Sequence, residues 1–363
     1  MIGRLSPLLR QRTVWLLLAL LAWVTAFGDG FWQGPNLQNL VIAISIEGIM
    51  VVGMTIVMIG GGFDLSIGSV VALSGVAVMS ALPLGLPAAV LIALAVAAAV
   101  GLANGLLITG LRVNPFIATL GTMIGVRGLV MTYTNAQPVP GTDLGFMRLG
   151  RQAIAGVPLP GLIFLAALIL GHILLAYLKA GREIYALGGN EESARASGIA
   201  TGRLKLVSYT ICSLTAGIAG IVLAARLNTG SPIVGENTAL NVITAVLLGG
   251  TSLSGGVGSI PGSFAGLLCI GVLGNGLNLF NVPAYYQRIA QGLLLLILVV
   301  LERLARAEGS PVAPGLLLAT MGRRSITTTH LQHAPSIAAD GGPGPASGRR
   351  DTHGFQNPKG DRQ

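Results

Sequence analysis

Between Val14 and Leu301 one apolar run follows another, most of them long enough to cross a bilayer, with glycine, proline and a few polar residues between them. A helix needs about 20 apolar residues to span the hydrocarbon core. In that phase every backbone N–H and C=O must find a partner inside the protein, which leaves only helices and closed barrels. A barrel would need short segments alternating between apolar and polar residues, and that pattern is absent here. The runs therefore predict an all-α integral membrane protein. Charged residues are only 10% of the chain, against about 25% in soluble domains, and the mean hydropathy is +0.76.

Taken in order, the runs predict about ten transmembrane helices, over 13–27, 37–59, 69–82, 88–108, 116–133, 161–178, 206–225, 240–248, 263–280 and 285–304. They form one membrane domain over 13–304, between an N-terminal segment 1–12 and a basic tail 305–363. The tail is rich in Gly, Pro, Ser and Thr and is expected to be disordered. Polar loops are expected at 134–160 and 226–238. The run after Arg4, Arg10 and Arg12 has no small-residue cleavage site and reads as an uncleaved first span. An even number of spans puts both termini on one side. That side also holds Arg112 and the five cations Lys179, Arg182, Arg195, Arg203 and Lys205. The facing loops hold Arg148, Arg151 and Arg226, with Arg288 near an outer end. The positive-inside rule then makes both termini and residues 179–205 cytoplasmic.

The net charge of +9 does not indicate a nucleic-acid partner. The cations sit at span ends and in the tail, without the interleaved aromatics of a binding groove. Cys212 and Cys269 lie in apolar runs and read as core residues, not as a disulfide framework. His172 is isolated in span six, and His330, His333 and His353 form no tight cluster, so no metal site is expected. The sequence has no Gly-x-x-x-x-Gly-Lys-Ser/Thr phosphate loop and no Gly-x-Ser-x-Gly elbow. The chain is not expected to be an enzyme. If it transports actively, the energy comes from an ion gradient or from another subunit.

Residues 181–199 are the polar exception. Asn190 is placed to cap a helix N-terminus, Glu191 and Glu192 fall at the positive end of its dipole, and Gly198 supplies a left-handed stop. The helix expected over 191–197 has about two turns, too few to stand alone in water. Two glycine-rich breaks, at 60–68 and 249–262, resemble each other, as do Ala103-Asn-Gly-Leu106 and Gly274-Asn-Gly-Leu277, which suggests an internal repeat. Asp64 falls in the first break. A carboxylate at mid-span costs about 2.5–3.5 kcal/mol, so it either lines a path beside a broken helix or caps the third span. Glu47 and Arg127, in spans two and five, either pair with each other or snorkel separately. The pairs Gly101/Gly105, Gly121/Gly125 and Gly262/Gly266 allow close helix approach.

Five motifs carry a family resemblance. They are Gly61-Gly-Phe-Asp-Leu-Ser-Ile-Gly-Ser69, Asn114-Pro-Phe-Ile-Ala-Thr-Leu-Gly-Thr-Met123, Arg127-Gly-Leu129, the 181–199 stretch, and Leu248-Gly-Gly-Thr-Ser-Leu-Ser-Gly-Gly-Val-Gly-Ser-Ile-Pro-Gly262. Together they resemble the permease subunit of bacterial ribose-type sugar ABC importers, over about residues 37–304. The departures are Phe63, where Ile or Val is expected, and a longer tail. The resemblance implies an inner-membrane permease paired with a second copy or a homologue, two cytoplasmic ATPase subunits and a periplasmic sugar-binding protein. ATP and Mg would be bound by the ATPase, with no cofactor in this chain. It implies that Gly188, Gly189, Asn190, Glu191, Glu192, Ala194, Arg195, Ser197 and Gly198 form the contact with the ATPase. A weak sugar path would be lined near Asp64, Ser66, Asn114 and Thr119. The rivals are a gradient-driven secondary transporter of a small polar solute using Asp64 or Glu47 as its ion site, a channel or scaffold, and a membrane enzyme. Relatives of this type handle ribose, xylose, galactose, inositol, autoinducer-2 or nucleosides, and no aromatic stacking pair or charged pocket in the spans separates these solutes.

Overall fold

Every one of the ten apolar runs is helical in the computed structural model, which describes residues 5–309 apart from Thr142. Residues 1–4 and 310–363 lie outside the described residues, and with them most of the expected tail. The helices are α1 (Leu5–Phe27), α2 (Gly34–Ile59), α3 (Ile67–Ala81), α4 (Leu86–Thr109), α5 (Pro115–Thr134), α6 (Leu144–Arg151), α7 (Leu159–Ala176), α8 (Lys179–Gly189), α9 (Glu191–Ala196), α10 (Thr201–Leu227), α11 (Thr238–Leu248), α12 (Ile260–Leu279) and α13 (Ala284–Gly309). Seven of them are long and apolar enough to cross a membrane, and Thr13–Phe27, Thr238–Leu248 and Ala284–Val300 are shorter apolar segments.

Two helices, α6 and α8, fall outside the elements expected from the sequence. The loop expected at 134–160 contains α6, whose N-terminus Asp143 caps by accepting from Gly145 N at 2.6 Å. The same region pairs Val139–Pro140 with Thr229–Gly230 and Ala153–Ile154 with Val157–Pro158. The stretch 179–205 contains α8 as well as α9, and Arg203 and Lys205 belong to the start of α10. Both missed helices are short and amphipathic, so a search for long apolar runs passes over them. Helix α13 continues to Gly309, past the boundary drawn at 304.

Local chemistry sets the helix ends. Asn114 caps α5 by accepting from Phe116 N at 2.9 Å, Pro115 follows at a position where a missing N–H costs nothing, and Asn135 ends the helix at φ 49°. Ser259 caps α12 in the same way, accepting from Gly262 N at 3.2 Å. Helix α2 is buried almost without interruption from Ile44 to Ile59, enclosed by α7, α10, α11 and α12. Small residues bring the backbones close. Gly101 of α4 faces the backbone of Tyr209 and Thr210 in α10, and Gly266 of α12 faces Ala245 O of α11. The Gly121/Gly125 pair differs, since nothing lies within 4 Å of either position. Cys212 and Cys269 are buried and unbonded to each other, as expected of core residues.

Glu47 and Arg127 do not pair. Asn241 of α11 is the polar neighbour of Glu47. Arg127 donates to Pro232 O, to Val234 O at 2.8 Å and to Gly68 O at 3.4 Å, with Glu236 nearby. One guanidinium thus ties α5 to the start of α3 and to the chain before α11. Replacing Arg127 by Ala is expected to cost about 2 kcal/mol, the scale of a charge-assisted hydrogen bond. Thermal unfolding in mixed micelles would show it as a lowered midpoint, with Arg288→Ala, at an exposed position, as the near-neutral control.

Candidate functional site

Both glycine breaks end their helices in the same way. At the end of α2, Gly60 N donates to Ile56 O, Gly61 N to Met58 O and Gly62 N to Val57 O. At the end of α11, Gly249 N donates to Ala245 O, Gly250 N to Leu247 O and Thr251 N to Val246 O. Gly61 and Gly250 take up φ 82° and 84°, left-handed values that a side chain would strain. The expected repeat therefore holds at the breaks. It does not extend to the Asn-Gly pairs. Asn104 lies on α4, two helices after its break, whereas Asn275 lies on α12, directly after its own, and exchanges hydrogen bonds with Asn36 at 2.8 and 3.1 Å.

The two breaks touch each other, and α8 sits on the contact. Gly256 N donates to Ile59 O at 2.8 Å, so the second break supplies a partner for the last carbonyl of α2. A Cβ on Gly188 of α8 would overlap Ile59 O and stand 2.5 Å from Gly256 N. One on Gly255 would stand 2.7 Å from Gly61 Cα and 2.9 Å from Gly188 Cα. Three chain segments thus meet backbone to backbone. Tyr185 of α8 adds a bond from its hydroxyl to Gly258 O at 2.9 Å. Gly181, Ile184 and Leu187 form the buried face that holds α8 down.

Helix α9 follows after Asn190, whose side chain accepts from Ser193 N at 2.8 Å, and Gly198 ends the segment at φ 81°. Its bounds agree with the expected 191–197 to within one residue. What the short helix leans on is its own chain. Ala194 is buried, and Glu191 accepts from Lys205 Nζ at 2.6 Å and from Arg195 Nη2 at 3.0 Å. Gly189, Asn190, Glu192, Arg195, Ser197 and Gly198 are exposed. Of the nine residues expected to contact a partner, these six form an open surface, Glu191 is half-buried, and Ala194 and Gly188 face inward.

Asp64 is fully buried in the first break, at the centre of a polar cluster. Its Oδ1 accepts from Ser66 N at 2.8 Å and from Ser66 Oγ at 2.5 Å. Asn104 Nδ2 reaches Ser66 Oγ at 2.9 Å and Asp64 Oδ1 at 3.5 Å. Tyr209, Cys212 and Ser213 of α10 border the carboxylate. Asn114 and Thr119 are not part of this cluster. Asn114 is an exposed cap, and Thr119 Oγ1 donates to Pro115 O within its own helix. Asn104 enters the sequence reading only through the Asn-Gly resemblance, and Tyr209 and Ser213 not at all; they lie in helices far along the chain, and nothing local links them to Asp64.

Helices of this length and apolarity, packed around paired breaks, make the chain an integral membrane protein. It belongs to the family described as branched-chain amino acid transport system / permease component, which matches residues 36–299. It is 43% identical over 284 residues to the ribose import permease protein RbsC of Bacillus subtilis, covering 77% of this chain and 88% of that one. It is 42% identical over 307 residues to RbsC of Escherichia coli K12, covering 81% and 94%. It is 34% identical over 305 residues to the L-arabinose ABC transporter permease protein AraH of Azospirillum brasilense, covering 82% and 89%. No solved structure gives a significant match.

Two predictions concern this junction. Gly188→Ala forces a methyl group against Ile59 O and is expected to cost about 1–3 kcal/mol, whereas Gly189→Ala meets nothing within 4 Å and is expected to be close to neutral. Thermal unfolding of the two purified variants separates them. The second prediction follows from Glu191, whose carboxyl is held below its ordinary value by the hydrogen bond from Lys205. The folded value is the lower one, so the pairing stabilises α9 above the unfolded carboxyl's value and is lost as the pH falls through the folded one. The Glu191 side chain is 38% exposed, so the effect stays below about 1 kcal/mol. Hydrogen-exchange protection of residues 191–197 should fall on acidification, and Glu191→Gln should remove that pH step.

Proposed function

We propose that this chain is the transmembrane permease subunit of an ATP-driven importer of a monosaccharide, residing in the bacterial inner membrane. The observation that carries this reading is the seat of α8–α9, a capped helix with an exposed polar face, joined through Gly188 to both glycine breaks. Relatives that import ribose or arabinose support the substrate class. The cation count supports a cytoplasmic position for α8, α9 and both termini.

In this mechanism ATP and Mg bind to separate ATPase subunits. Closure of those subunits displaces α9, and α8 carries the displacement to the ends of α2 and α11 through backbone contacts that have no side chain to flex. Helices α7 and α10, which flank the segment in the chain, move with it. A periplasmic sugar-binding protein delivers substrate, so the path near Asp64, Ser66, Asn114 and Thr119 can bind weakly. A second copy or homologue completes the path. The open Gly121/Gly125 face of α5 is a surface that would accept a closely packed helix.

The test replaces residues 191–197 with a Gly-Ser segment of equal length, in proteoliposomes containing the whole transporter. Sugar-stimulated ATP hydrolysis and uptake are both expected to fall to background while assembly persists. Preserved uptake would overturn coupling through α9. Uptake abolished by an uncoupler with ATP present would favour a gradient-driven transporter instead.

A further inference from the structure

Asp64 presents an imbalance that its hydrogen bonds do not remove. The carboxylate is completely buried, yet none of the ion pairs among the described residues includes it. Its neighbours are Ser66, Asn104, Tyr209, Cys212 and Ser213, and none of them carries a positive charge. A charge taken out of water must be paired, coordinated or neutralised.

The donors present serve only one of the two carboxylate oxygens. Ser66 N, Ser66 Oγ and Asn104 Nδ2 all converge on Oδ1. Asp64 Oδ2 is buried with no hydrogen-bond partner, and so are Asn104 Oδ1 and Ser213 Oγ. Ser213 adjoins the carboxylate as a weak hydrogen-bonding neighbour, and its Oγ makes no hydrogen bond of ordinary length and angle. The unpartnered atoms therefore include a carboxylate oxygen, an amide oxygen and a hydroxyl oxygen, on residues from the break, α4 and α10 that meet at one point. Ser66 Oγ lies within the same group.

Oxygen ligands suit hard cations. The formal charge here is one, and no group of three or more His, Cys, Asp or Glu residues is found among the described residues. Calcium sites use six to eight oxygens, with several carboxylates among them. A single carboxylate with neutral oxygens instead balances one positive charge. A cleft bordered by Gly60, Gly62, Lys205, Ser208 and Tyr209 lies on the other side of Tyr209, which itself borders Asp64.

We propose that Asp64, Asn104, Ser66 and Ser213 bind a monovalent alkali cation, probed as sodium, that neutralises Asp64 and fixes the first glycine break between α4 and α10. The ion is a resident part of the folded protein and not a co-transported one, so the proposal does not rest on the identity of the sugar or on ATP coupling.

The test uses the purified full-length chain in detergent micelles. Thermal unfolding is followed in sodium, potassium and choline chlorides at one ionic strength, and binding of radioactive sodium is measured by equilibrium dialysis. The midpoint should rise saturably with sodium relative to choline, as expected for a ligand of the folded state, with about one ion bound per chain. Ser213→Ala removes one neutral oxygen and should weaken apparent sodium affinity about tenfold, on the scale of lost site-supporting groups. Asp64→Asn should abolish both binding and the sodium-dependent increment, whereas Glu192→Gln, at an exposed carboxylate, should retain them. Equal midpoints in sodium, potassium and choline with no bound sodium would overturn the proposal, leaving Asp64 protonated or hydrated. So would a sodium increment unchanged in both Ser213→Ala and Asp64→Asn. Should Asp64→Asn fail to fold, Ser213→Ala and the dialysis result on the unaltered chain decide the matter.

Discussion

The carbonyl of Ile59 is the last one of α2, and a helix that stops inside an apolar bundle leaves such groups needing partners from elsewhere. Here the partner is Gly256 N, at 2.8 Å, nearly two hundred residues along the chain. The bond requires the two breaks to approach until their backbones touch, and Gly61, Gly255 and Gly188 meet that requirement by having no side chain. Much of the arrangement follows. Helix α8 can lie on the junction because Gly188 fits against Ile59 O. Helix α9 is held over it because α8 ends there and Asn190 starts a new helix at once. An unmet carbonyl in a low-dielectric interior costs more than a typical formed bond contributes, so the junction is a place the fold is obliged to close.

Contacts of this kind have mechanical consequences. Side chains hop between rotamers and absorb small displacements, whereas backbone groups in van der Waals contact move together or separate. A shift of α8 would therefore bear directly on Ile59 at the end of α2 and on Gly255 and Gly256 of the second break. Tyr185, bonded to Gly258 O, adds a second point of attachment on the same break. Helix α9, by contrast, is held by one buried alanine and by ion pairs at a partly exposed site, interactions worth little each. The segment is firm where it meets the membrane helices and light where it faces outward.

The sequence revealed those features whose physics is local. Ten helices were legible because hydrophobic length is read residue by residue, and the caps at Asn190 and Gly198 because capping acts over three or four positions. The similarity of the two breaks was visible for the same reason, since Gly-Gly after an apolar run specifies a left-handed stop. Their mutual contact was not, because nothing near Ile59 in the chain announces a donor at position 256. The Asp64 cluster divides in the same way. Ser66 lies two residues away and was identified, while Asn104 and Ser213 arrive from other helices and were not. Asn114 and Thr119 are expected beside a sugar path as polar groups, yet their side chains bond within their own helix α5.

The same distinction explains why fold and class are easier to read here than substrate. The matched family is described by branched-chain amino acid transport, and the similar permeases by ribose and arabinose. Chemistries so different have few recognition groups in common. What proteins of both descriptions can share is the requirement to break helices inside a membrane and join the broken ends to a segment outside it. Glycine, backbone hydrogen bonds and helix caps meet that requirement, and they are the features that dominate the motifs of this chain. Ribose and arabinose are both pentoses, differing in the orientation of hydroxyl groups. Discriminating between them takes a few fixed donors and acceptors at one place, and Ile59, Gly188 and Gly256 contribute only backbone groups already bonded to each other or packed together. A substrate-selective permease path would have to be built elsewhere, from side chains with free polar atoms.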